Sequence, residues 1–255
     1  MVQNLRSTMP KIGTRKLYYL LEDKLKEIKV GRDILFRILK ANHMLIKPKR
    51  QYHITPNSHH RFRKHKNLIG EIVPIKPEQI WVSDITYVGN RKNPMYLAFV
   101  TDAYSKKIVG YDVSNSLCVT GSANALRRAT KSRVYKNNPI VHHSDRGLQY
   151  CSDEYQGILK KSKIKCSMTE SYDPYENAVA ERVNGILKSE FIGQTNNLKL
   201  PLMKKLIQDS IQIYNDVRPH YSCHYKTPNQ MHKQKEIKIK TYKTKTTRKH
   251  VFTGS

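Results

Sequence analysis

Three acidic residues have the surroundings for chemistry. Asp84 stands in the apolar run QIWVSDITYV, Asp145 closes NPIVHHSD, and Glu181 lies within YENAVAERVNGILKSE. An aspartate inside a run that reads as a buried strand is costly unless hydrogen bonds or a cation receive it. Taken singly, each acid reads as an ordinary strand-end or helix-surface charge. Read together, they form the donor set of a metal centre. Two unit charges about 4 Å apart repel by roughly 4 kcal/mol at an effective dielectric near 20, so such a cluster takes up protons or binds a cation. Ligands that are all oxygen select Mg²⁺ or Mn²⁺ over zinc. Two such ions activate an attacking oxygen and stabilise a leaving one. The expected chemistry is phosphodiester cleavage or exchange.

The elements that must position these acids follow from the pattern. QIWVSDITYV, MYLAFVTDA and KKIVGYDVS read as three strands separated by polar turns, followed by a helical SANALRRATKSRV. A short strand PIVHH, a helix from Tyr150 to Lys161 and a strand around IKCSM come next. A meander of strands followed by helix–strand alternation calls for a mixed α/β sheet. The long helix after Pro174 sets Asn177, Glu181 and Lys188 along one face, a carboxylate and a cation on the same groove. A last helix, LMKKLIQDSIQIYNDV, precedes RPHY.

Ahead of the sheet, residues 13–45 space leucines and isoleucines as two helices joined by IKVG, a pattern shared by a helical hairpin and a helix-turn-helix, with Arg32, Arg37 and Lys40 on the second helix as candidate DNA contacts. The expected division is a small helical DNA-binding-like domain over 1–46, a basic linker over 47–70, a catalytic core over 71–225 and a lysine-rich tail over 226–255. His53, His59, His60 and His65 in the linker lack the spacing of a zinc site and read as solvated or phosphate-facing.

Charge supports this division. The chain of 255 residues carries a formal charge of +27, of which +13 falls in residues 1–70, +8 in 226–255 and +6 between them. Basic arms flanking a nearly balanced core suit a polyanionic partner gripped at the edges while the centre does chemistry. Cys118, Cys151, Cys166 and Cys223 form no CxxC pair, which argues against a disulfide framework or zinc ribbon and for a reducing cytoplasm. No stretch approaches the roughly 20 apolar residues of a membrane span. The sixteen tyrosines read mainly as core residues, with base stacking as the other use of such rings.

WVSDITYV, YLAFVTDAYSKKIVGYDVS, VHHSDRGLQYCS, ENAVAERVNGILKSEF and YNDVRPHYSCHYKTP together resemble the integrase-type transposases of the bacterial insertion-sequence-three group, across roughly residues 13–230. Between Asp145 and Glu181 lie 35 residues, the interval of the D,D-35-E signature shared with retroviral integrases. The resemblance implies a ribonuclease H-like fold with a five-stranded mixed sheet, and Asp84, Asp145 and Glu181 as a catalytic triad holding two Mg²⁺ or Mn²⁺ ions. It implies cutting and joining of DNA at the terminal repeats of a mobile element and in target DNA, by a multimer in the bacterial cytoplasm near the nucleoid. It makes Lys188 the contact to terminal DNA, with Asn177, His143 and Arg146 beside the site. Asp102 falls where that group also has an acid, and is expected to be structural.

The match departs from the group at the loop SMTESYDPYENA, where Glu176 stands in place of an aspartate. Members of the group also carry an upstream-frame helix-turn-helix segment, so the chain is expected to be a second-frame product with that upstream protein as a partner. The rival readings are a non-catalytic DNA-binding relic or regulator, and a ribonuclease H-type nuclease acting on RNA in hybrids.

Overall fold

The strand that carries Asp84 is the centre of the sheet. In a computed structural model that describes residues 1–46, 65–70, 72–90, 93–170, 177–193 and 198–240, β1 (Ile80–Gly89) pairs antiparallel with β2 (Pro94–Asp102), which pairs antiparallel with β3 (Ile108–Ser114). On its other side β1 pairs in parallel with β4 (Val141–Ser144), and β4 with β5 (Lys165–Met168), giving the order β3-β2-β1-β4-β5. The mixed five-stranded sheet is the one expected. Residues 47–64 of the basic linker, the loop 171–176 with Glu176, and residues 241–255 lie outside the described residues.

Helices cover both faces because strand side chains alternate. Ala98 and Val100 of β2 face a core with Ala125, Leu126 and Ala129 of α4 (Val119–Lys131), Tyr150 and Cys151 of α5 (Leu148–Cys151), and Tyr155 and Leu159 of α6 (Asp153–Lys161). Leu97 and Phe99 face the opposite core, with Val183 and Ile186 of α7 (Ala178–Ile186) and Met203, Ile207 and Ile211 of α8 (Leu200–Asp216). The sheet and α4 approach so closely at Gly110 that a Cβ there would lie 2.1 Å from the Ala125 carbonyl oxygen. Only glycine fits that position.

Three elements differ from the sequence expectation. The helix expected from Tyr150 to Lys161 is two helices, broken at Ser152, whose hydroxyl accepts the Tyr155 amide at 3.3 Å and starts α6 anew. The helix that carries Glu181 widens after α7 into a π-helical turn, Leu187–Ile192. The stretch expected as a tail from residue 226 is, up to residue 240, part of the fold. α9 (Pro228–His232) is fixed by a capping box on Thr227, and Met231 and Ile239 are buried with Tyr104 and Cys223.

The amino-terminal unit has α1 (Val2–Thr8), which the sequence reading did not delineate, then α2 (Thr14–Glu27) and α3 (Arg32–Ala41). Leu17, Leu21, Leu25, Leu35 and Leu39 make its core, against which Phe191 and Ile213 of the sheet domain also pack. Ile34 and Ile38, read as part of that apolar spacing, are exposed.

Candidate active site

The sheet register brings two of the acids side by side. Val82 of β1 pairs with His143 of β4, and Asp84 and Asp145 each lie two residues beyond that pair, where the parallel ladder has ended and the strands are free to splay. Val82 packs with Ala180 of α7, so the period of two turns Asp84 toward the same helix. α7 is tied to β1 at two points. Asn177, at the helix start, donates from Nδ2 to the Ser83 carbonyl oxygen at 3.0 Å, and Asn184 donates from Nδ2 to Asp84 Oδ2 at 3.0 Å. Glu181 sits between these two ties, one helical turn from each.

The two aspartates are oriented by backbone. The Ile85 amide donates to Asp84 Oδ1 at 2.8 Å, and the Gly147 amide donates to Asp145 Oδ1 at 2.9 Å. A Cβ on Gly147 would stand 3.0 Å from that same Asp145 oxygen, so glycine leaves the carboxylate its room. Burial and then the charge of Asp145 push the Asp84 carboxyl up to about 7, with Glu181 adding to the push, while the bonds from Asn184 and Ile85 oppose it. Among the described residues, no three acidic, histidine or cysteine side chains close tightly enough to enclose an ion. The acids share one groove and one field. The donor chemistry still fits a divalent cation: the oxygens belong to carboxylates, and the field that holds a proton on Asp84 is the field a cation relieves.

Lys188 stands in the π-helical turn. Burial lowers its ammonium pKa and the charge of Asp84 raises it, which places the two groups within electrostatic reach. Arg146 is half-buried next to Asp145. His143, opposite Val82 in the register, lies on the same sheet face as the two aspartates, its Nδ1 at 2.8 Å from the Ser167 hydroxyl. Asp102 is structural, as expected: fully buried, it accepts from the Glu78 and Ser105 amides and the Ser105 hydroxyl, each at 2.7 Å. Arg32, Arg37 and Lys40 are exposed on α3, and Arg32 pairs with Asp33 at 2.9 Å.

Two residues escaped the sequence reading. Asn184 had a signal, standing three residues after Glu181 and seven after Asn177 on the same helical stripe. Arg218 had none. It is almost fully buried and grips both oxygens of Glu190 in the π-helical turn at 2.7 Å each, with Lys16 of α2 on the same carboxylate at 3.2 Å.

Residues 74–174 and 162–228 each match an integrase core domain. A 31 kDa protein of insertion element IS600 from Shigella sonnei is 35% identical over 210 residues, 82% of this chain and 76% of that protein. The chain belongs to the integrase-core transposases of the IS3 group. Within this family, the transposase InsF of insertion sequence IS3A from Escherichia coli K12 is 34% identical over 60% of this chain and 54% of its own length. The match thus spans about half of that curated transposase. The fold is similar to that of a chain in the structure of a simian T-cell lymphotropic virus intasome, with a TM-score of 0.53 and 19% identity over 91% of this chain and 78% of that one. Ribonuclease H-like architecture is common to both.

Proposed function

We propose that Asp84, Asp145 and Glu181 are the catalytic acids of a DNA transposase, and that they hold two Mg²⁺ or Mn²⁺ ions for strand cleavage and transfer at the ends of its own element. The observation that supports this reading is geometric: the Val82–His143 register runs β1 and β4 toward Asp84 and Asp145, and Asn184, three residues after Glu181 on α7, bonds Asp84 Oδ2 at 3.0 Å. Bound divalent ions would supply activation of the attacking oxygen, a water or a DNA 3′-hydroxyl, and charge stabilisation of the leaving oxygen.

The chain's own residues do the rest. Asn184 holds Asp84 facing the groove, Gly147 orients Asp145, and Asn177 fixes the start of the helix that presents Glu181. Lys188 meets the phosphates of the terminal DNA, with Arg146 flanking. Arg37 and Lys40 offer exposed cations to DNA farther out. Joining two element ends calls for a multimer, with target DNA and the upstream-frame helix-turn-helix protein as further partners.

Strand transfer with Mg²⁺ on matched element-end DNA tests this. Asp145→Asn and Glu181→Gln are expected to lose about a thousandfold or more of the rate, the scale of losing metal-held charge stabilisation. Variants as active as the parent sink the assignment. Selective cleavage of RNA in a hybrid, without DNA joining, would replace it with a ribonuclease H-type activity.

A further inference from the structure

A second cluster of chemically capable groups lies outside the carboxylate groove. Arg15, Tyr18, Tyr19 and Glu22 of α2, Arg32 of α3, and Tyr221 and Tyr225 of the corner after α8 line an open cleft of about 440 Å³. The Tyr19 and Tyr225 rings are stacked, with centroids 4.8 Å apart and planes inclined by 18°. Tyr221 stands edge-on to Tyr225 at 5.8 Å, and the Lys240 ammonium lies 4.8 Å over the Tyr221 ring. Tyr19 and Tyr221 are 41% and 45% exposed, so they do not serve as core filling.

The corner that presents these rings is held in an unfavourable backbone. His224 and Tyr225 are consecutive non-glycine residues at φ of 53° and 62°, and together they turn the Tyr225 ring back onto α2. Arg15, Arg32 and Lys240 rim the cleft with positive charge. The acids nearby are engaged in exposed pairs, Glu22 with Lys26 at 3.1 Å and Asp33 with Arg32 at 2.9 Å, and exchanging such a pair for a phosphate costs little.

We propose that this cleft binds an unpaired nucleotide of a DNA strand, its base laid on the Tyr19–Tyr225 stack and its phosphates met by Arg15, Arg32 and Lys240. Exposed stacked rings among cations favour an unpaired strand over a duplex, whose base faces are already stacked and whose phosphates need no aromatic partner. The choice of DNA rests on the transposase reading. In that setting the cleft captures a frayed end or a displaced strand away from the reacting phosphate.

Anisotropy titrations of the full chain in EDTA, which silences the carboxylate site, test the cleft on its own. The probes are a short fluorescent thymidine oligonucleotide, its ribose counterpart and a paired duplex. Replacing Tyr19 and Tyr225 together by Ala is expected to weaken single-strand binding roughly 10- to 100-fold, the scale of losing base–aromatic stacking. The same change leaves duplex binding in place, and the paired Phe replacement restores the parent's affinity. An oligonucleotide carrying 5-iododeoxyuridine is expected to photocross-link to Tyr19, Tyr221 or Tyr225. Undiminished single-strand binding by the Ala pair overturns the proposal. Equal losses on single strand and duplex, or cross-links found only elsewhere, do the same, since they leave the tyrosines a purely structural role. Tighter binding of the ribose probe overturns the assignment to DNA. Failure of the parent to join element ends would sink the transposase reading, and these titrations would still decide whether the cleft stacks bases.

Discussion

On the proposed function, Asp84 links the fold's stability to its activity. Its carboxyl rises from 3.8 in the unfolded chain to about 7 in the fold, so between those values the folded state holds a proton that the unfolded state has lost. Metal-free stability therefore falls as pH rises through that window and levels off above about 7, the reverse of a salt-bridged carboxylate. Asp84→Asn removes the penalty while keeping one of the two side-chain acceptors that Ile85 and Asn184 use. It is expected to gain up to roughly 4 kcal/mol in metal-free buffer above pH 7 and to lose strand transfer, read by urea unfolding beside the activity assay. Asn184 acts through Asp84 as a positioning residue. Its hydrogen bond favours the ionised carboxylate, so Asn184→Ala should push the Asp84 pKa further up and move the acid limb of the pH–rate profile to higher pH. A profile that drops in height without moving would leave Asn184 a purely structural part.

At the scale of elements, the π-helical turn joins three parts of the molecule. It follows the helix that presents Glu181, carries Lys188, and offers Glu190 to Arg218 and Lys16. Burial works to raise the Glu190 pKa, but the bond and charge of Arg218, aided by Lys16, outweigh it and hold the carboxyl below its ordinary value. Glu190→Gln leaves Arg218 buried without its counter-charge. The expected loss is about 3–5 kcal/mol, the cost of breaking one side of a buried pair, measured as a shift in the urea midpoint at constant slope. A loss under about 1 kcal/mol would show that water or His220, 2.9 Å from Arg218 Nη1, takes up the charge. Widening a helix by one residue per turn shifts the side chains that follow around the axis, so the turn also decides where Lys188 points.

The whole molecule is a charge-balanced sheet domain with basic material at both ends, and its DNA affinity should show this. Non-specific binding is expected to fall steeply with salt, by about 0.9 in logarithmic slope for each phosphate neutralised on a duplex. Ending the chain at residue 240 removes Lys243, Lys245, Arg248 and Lys249. That truncation should flatten the slope by no more than about 4 and spare the cleavage of short substrates. Ending it at residue 225 also removes buried Met231, His232 and Ile239, and is expected to lower thermal stability as well. An unchanged salt slope in the shorter truncation would mean that the terminal lysines do not touch DNA.

Much of this arrangement is written locally in the chain. Alternation and apolar runs mark β1, β2 and β3, leucine spacing marks α2 and α3, and the interval between Asp145 and Glu181 marks the acids proposed as catalytic, because strand period, helix period and a fixed donor set leave traces along the sequence. The break at Ser152, the π-helical turn and the docking of residues 228–239 left weaker traces, since a hydroxyl cap, a widened turn and a packed lysine-rich segment read as ordinary helix or tail until their partners are in place. What the sequence determined alone is the class of donor at each position. Tertiary structure decided their company: the Val82–His143 register that sets Asp84 beside Asp145, Asn184 on the same carboxylate, Arg218 beneath the helix, and Tyr19 against Tyr225. Each of these joins residues far apart in the chain, and a raised pKa, a buried ion pair or a stacked ring exists only once folding has brought both partners out of water.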